Sequence, residues 1–150
     1  MIQPTEFRIG NYLLVNNSLQ QISALCIDSN ISNTHMQVGY IKDGDVHYEK
    51  AASDKVQPVP LTDEILEQGG FKFDAYFKLW QKMKEVFGTG TEMELDRDHT
   101  ALDFSHRPIL KDIQYLHELQ NLYYALNRKE LPMDFISNKN IKENAEQTIK

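Results

Sequence analysis

From residue 7 to about residue 59 the chain is cut into short segments by clusters of turn-forming residues, and this constrains its fold most. The segments are 8–15, 20–28, 35–41 and 46–49, with 55–59 a weaker fifth. Asn16-Asn17-Ser18, Asp28-Ser29-Asn30 and Lys42-Asp43-Gly44-Asp45 separate them. Asp43-Gly44 is a hairpin signal, because a tight two-residue turn needs positive φ and these residues tolerate it. Short strands at regular spacing predict a small antiparallel β-barrel or curled sheet, SH3-like in kind. Gly10 and Gly39 read as bulges or sharp bends in it.

After Pro58 and Pro60 the pattern changes. Thr62 reads as a helix N-cap, with Asp63 and Glu64 in the first turn, where the helix dipole favours acid. Leu61 and Leu66 occupy the hydrophobic-staple positions, and Gly69-Gly70 supplies a stop, so a short helix is expected over 63–68. Asp74 reads as a second N-cap. Tyr76, Leu79, Trp80, Met83, Val86 and Phe87 recur at helical spacing, which predicts a helix over 75–87, with a strand through 76–80 as its rival. Segments 92–98 and 101–105 read as a hairpin around Asp98-His99-Thr100. Ile113, Leu116, Leu119, Leu122, Tyr123 and Leu126 form an apolar stripe, predicting a long packing helix from an Asp112 N-cap to Asn127-Arg128. The expected fold class is therefore α+β: an N-terminal small antiparallel β-barrel or curled sheet, then a short helix, a hairpin and the long C-terminal helix. One domain is expected over 1–136, β-rich at 7–59 and mixed at 60–136, followed by a polar, mobile tail at 137–150.

Composition narrows the function classes. The chain has 150 residues, 16 Lys plus Arg and 22 Asp plus Glu, for a net charge of −6. An acidic chain without clustered base argues against nucleic-acid binding. Its single cysteine, Cys26, excludes an internal disulfide and a multi-cysteine zinc site, and its apolar run predicts burial. Residues 1–9 carry Glu6 and Arg8 and no apolar h-region, so no signal peptide is expected. No window approaches the ~20 apolar residues of a membrane span. Together these point to the cytoplasm.

Several clusters invite a chemical reading. Glu92, Glu94, Asp96 and Asp98 alternate with Met93, Leu95 and Arg97, so a strand would line four carboxylates along one face. Such a face is solvated, or meets a basic partner, or holds a hard cation. Asp96, Asp98, His99 and His106 are the candidate metal ligands of that last reading. His47 and Glu49 share a strand face, but His35 lies too far along the ladder to join them. The serines lack a nucleophile-elbow setting, and Gly88-Thr89-Gly90-Thr91 lacks the lysine of a phosphate loop. No cofactor is expected.

Three stretches occur in a recognisable order: Phe7-Arg8-Ile9-Gly10-Asn11-Tyr12; then Val59-Pro60-Leu61-Thr62-Asp63-Glu64-Ile65-Leu66 with Gly70-Phe71; then Tyr115-Leu116-His117-Glu118-Leu119-Gln120-Asn121-Leu122-Tyr123-Tyr124-Ala125-Leu126. This layout, over roughly residues 7–131, resembles a family of small phage and mobile-element proteins of anaerobic gut bacteria. The family pattern is shorter and more strand-like at 75–87, and the tail after Leu131 is an addition to it. The resemblance carries no catalytic residues. It implies a non-enzymatic accessory protein that binds a host protein or sequesters a nucleotide-derived small molecule, as in counter-defence. His117, Gln120, Asn121 and Tyr124 border one helix face and, with Tyr48 and His47, are the candidate ligand- or partner-binding residues. A metal-dependent hydrolase or nuclease built on the 96–106 cluster is the alternative. An amphipathic helix with spare aromatics is also compatible with a homodimer.

Overall fold

A computed structural model describes residues 6–26, 36–84 and 90–135. His35, the Gly88-Thr89 part of the glycine–threonine loop and the polar tail lie outside them. The chain divides between Val59 and Pro60 into two compact units.

The first unit is an antiparallel sheet of β1 (Tyr12–Val15), β2 (Ser18–Cys26), β3 (Gln37–Lys42), β4 (Asp45–Lys50) and β5 (Val56–Pro58). Its order is β4-β3-β2-β1-β5. No ladder joins β4 to β5 among the described residues, so the sheet is open and the expected barrel closure is absent. Two turns set its register. Asn16 and Asn17 have φ of 50° and 62°, and Asp43 and Gly44 have φ of 53° and 84°. Both are two-residue turns with positive φ throughout, whose twist matches the strands they join. Leu13, Ile22, Met36, Val38, Ala51 and Val56 form the core, with Phe7 packed among them.

The Phe7–Tyr12 stretch is a folded corner. Gly10 takes φ of 97°, and the buried Asn11 side chain accepts the Arg8 N–H at 2.7 Å. The Gly10 N–H donates to the Ile22 carbonyl, and the Ile22 N–H donates to the Asn11 carbonyl, both at 2.8 Å. Gly39 lies where β2 bulges between Ile22 and Ala24. A Cβ there would come within 2.9 Å of the Tyr48 ring and 3.0 Å of the Ala24 Cβ. Cys26 is exposed, not buried as expected, because it ends β2 beyond the core.

The second unit carries α1 (Asp63–Gln68), then β6 (Lys72–Asp74), β7 (Leu79–Met83), β8 (Thr91–Leu95), β9 (Ala101–Leu102) and β10 (Pro108–Leu110), then α2 (Leu116–Asn127). The five strands form one antiparallel meander. Helix α1 follows the sequence expectation to the residue. The Thr62 hydroxyl accepts the Ile65 N–H, and the staple leucines 61 and 66 are both buried. Gly70, at φ 81°, ends it: its N–H donates to Glu67 and that of Phe71 to Leu66, both at 3.0 Å. This paired pattern is a Schellman stop. Thr62→Ala is expected to destabilise the second unit by about 1 kcal/mol, the usual loss for an N-cap, as read by urea unfolding.

Among the described residues 75–84 the expected helix over 75–87 is absent, its last three residues lying outside them; the rival strand reading is closer. Asp74 caps a turn instead of a helix, its carboxylate accepting the N–H groups of Tyr76 and Phe77. Lys78 then takes φ of 56° and returns the chain into β7. A short aromatic run fits helix or strand, and cross-strand pairing of Phe73 with Trp80 decided for the sheet.

Helix α2 starts four residues after its expected N-cap. Asp112 has φ of 50° and sits in the approach. Tyr115 is the N-cap, without a side-chain bond of its own, and the Glu118 carboxylate reaches back to accept the Gln114 N–H at 3.0 Å. The buried face of α2 is Leu116, His117, Leu119, Gln120 and Tyr123. Leu126, expected in the stripe, is exposed.

Candidate functional site

The acidic strand is not a uniform face. Lys82 pairs with Met93 and Met83 with Thr91, so Glu92 is the extra residue of a β-bulge in β8. A bulge re-aims one side chain against the alternation. Glu92 turns toward α2, where its carboxylate accepts from the Tyr123 hydroxyl and pairs with the Lys129 ammonium. Burial alone would raise its pKa; hydrogen bonds from Lys129 and Tyr123, with the charges of Lys129 and Lys82, outweigh that and hold it below 4.5. Glu94 stays on the opposite face, accepting from Gln81 and Thr91, both at 3.3 Å.

Asp96 and Asp103 are hairpin residues, and their turns repeat. In each, the aspartate carboxylate accepts the N–H groups two and four residues on. In each, the histidine three residues on, His99 or His106, has positive φ. This is a three-residue hairpin with a left-handed fourth position, which histidine tolerates better than most residues. The repeat Asp-x-x-His at a seven-residue interval was the signal in the sequence, and it encodes turns. The Arg107 N–H above all holds the Asp103 carboxyl low; desolvation opposes it, and the Ser105 N–H with the charge and hydrogen bond of the Arg107 guanidinium complete the downward shift. His99 lies 3.5 Å from Asp63, and His106 lies 3.5 Å from Glu94. Asp98 is exposed at the first turn. No group of three or more His, Cys, Asp or Glu among the described residues is placed to hold a metal ion.

The α2 candidates do not share a surface. His117 and Gln120 are each 1% exposed, on the packed face, and His117 stacks on Tyr115. Asn121 is half-buried, and Tyr124, one turn beyond Gln120 on the same side of the helix, is exposed near its C-terminal end. A helix with polar residues on its buried face hides this from a stripe read by hydrophobicity alone.

The remaining candidates, His47 and Tyr48, sit on β4 with alternating faces. His47 stacks on Tyr40 toward the core side, with ring centroids 5.6 Å apart. Burial, and then the charge of Glu49, raises the Tyr40 pKa, so its hydroxyl stays protonated near neutral pH. Tyr48 lies on the outer face over Gly39, its cross-strand partner. Val46 and Ile41 pair on that same face. Ile41, Val46 and Tyr48 are 59%, 53% and 47% exposed, a cluster of apolar side chains at the free end of the sheet. Beside it, a groove of about 380 Å³ is lined by Ile9, Gly10, Gln21, Ile22, Ser23 and Ile41. The Gln21 amide donates to the Gly10 carbonyl, and the Ser23 hydroxyl donates to the Gly39 carbonyl. The polar groups of the groove are thus engaged internally, and its lining holds no charged side chain.

Comparison with known families, with curated proteins and with solved structures finds no match to this chain. No helix among the described residues is long and apolar enough to cross a membrane.

Proposed function

We propose that this is a non-enzymatic accessory protein, of the phage and mobile-element kind its motifs resemble, which binds a host protein through the outer face of the first sheet. The observation that carries the reading is the cluster of Ile41, Val46 and Tyr48, three large apolar side chains adjacent and exposed on one sheet face. Tyrosine beside aliphatic residues is the composition of a protein-binding centre.

The test is affinity purification from the host with the wild type and Val46→Asp, followed by titration of the purified partner. Val46→Asp puts a charge into the apolar cluster and is expected to weaken binding at least about tenfold, with unchanged unfolding. Native mass spectrometry of the host-purified protein runs beside it. A bound mass of a few hundred daltons, or a partner held equally by Val46→Asp, overturns the reading.

A further inference from the structure

We propose that β4 is also the contact edge between two copies of this chain, the two β4 strands pairing antiparallel about a two-fold axis at Tyr48. The inference rests on the edge of the strand and is independent of what docks on the sheet face.

Strand β4 ends the order β4-β3-β2-β1-β5, so one of its edges has no ladder among the described residues. The bonding direction alternates along the strand. Asp45 closes the two-residue hairpin with Lys42, and the Ala51 N–H donates to the Met36 carbonyl. Odd-numbered residues therefore bond inward to β3, and the N–H and C=O groups of Val46 and Tyr48 and the Lys50 N–H point to the open edge, while the Lys50 carbonyl accepts the Ser53 N–H. Such a row is a template for another strand.

Symmetry restricts the register. A two-fold axis perpendicular to the sheet keeps the same face up in both copies, so only residues of equal parity can oppose each other. Two registers then centre on this strand. One centres on His47 and sets Asp45 against Glu49 of the second copy, twice, and like charges directly opposite are unfavourable. The other centres on Tyr48. It sets Val46 against the Lys50 stem and His47 against Glu49, twice each, with about four backbone hydrogen bonds between outward groups. The charge pattern of Asp-Val-His-Tyr-Glu-Lys thus selects one pairing. It also abuts the two exposed Val46 and Tyr48 pairs, joining two small apolar clusters into one.

Sedimentation of the full chain between about 1 and 200 µM tests this, since edge-only dimers have micromolar-range affinities at best. The wild type is expected to shift from monomer to dimer over that range. Val46→Pro replaces an outward N–H by a ring that fills the open edge, without touching the β3 ladder, and is expected to remain monomeric. His47→Glu opposes two carboxylates to Glu49 and is expected to raise the dimer dissociation constant about tenfold. His47→Glu with Glu49→Lys sets opposite charges against each other across the axis and is expected to recover the dimer. If Val46→Pro fails to fold, the charge pair decides alone. A wild type monomeric at 200 µM, or a dimer unaffected by His47→Glu, overturns the proposal.

Discussion

Glu92→Gln is expected to destabilise the second unit by about 2–3 kcal/mol. Breaking a buried charge pair by removing one partner costs about 3–5 kcal/mol. The lower figure applies because Lys129 is half exposed and can regain water, while the buried Tyr123 hydroxyl and Lys82 cannot. Two elements and the residue beyond them depend on this carboxylate: β8 carries it, α2 sends Tyr123 to it, and Lys129 follows α2. Asn127 adds a bond to the Glu92 carbonyl at 3.4 Å. The pH dependence has a defined sign. The folded pKa lies below 4.5, so this stabilisation is complete above pH 4.5 and is lost as pH falls through the folded value. Urea unfolding between pH 6 and pH 3 is expected to show a steeper acid loss in the wild type than in Glu92→Gln. Asp103, also depressed, contributes acid loss of the same sign to both. Equal slopes in the two proteins would refute the assignment.

Gly70→Ala is expected to cost about 2–4 kcal/mol, and the reason is twofold. Gly70 holds φ of 81° as the stop of α1, where an L-residue loses roughly 1–2 kcal/mol. A Cβ there would also lie 2.5 Å from the Lys82 ammonium nitrogen, so the buried lysine must leave its place. Gly44→Ala is the control. It has nearly the same φ, 84°, but nothing lies within 4 Å of its added Cβ, so only the conformational loss is expected. Denaturant unfolding of the two variants separates strain from displacement. Equal losses would show that Lys82 moves aside freely.

Both results concern the scaffold, and so do the three stretches on which the proposed resemblance rests. Gly10 and Asn11 build a corner, Thr62 and Leu66 cap and staple a helix, and Gly70 stops it. His117, Gln120 and Tyr123 fill the packed face of α2. Of the binding-site candidates exposed to solvent, Tyr124 belongs to the third stretch, whereas Tyr48 and His47 are plain surface residues that no motif distinguishes.

What the sequence determined by itself is local. Two-residue turns need positive φ, so Asn16-Asn17 and Asp43-Gly44 placed the first four strands. A cap, a staple and paired glycines bounded α1, because each satisfies backbone groups within a few residues. Tertiary structure decided the rest, where two local outcomes were close in energy or alternation was broken. The aromatic run after Asp74 suits helix or strand until Trp80 meets Phe73 across a ladder. Glu92 belongs to an acidic face until a bulge turns it inward to Tyr123. His117 and Gln120 look like a polar rim until packing closes over them. A one-residue bulge or a rotation of a helix face depends on contacts with residues distant in sequence, and hydrophobic periodicity carries no record of those contacts.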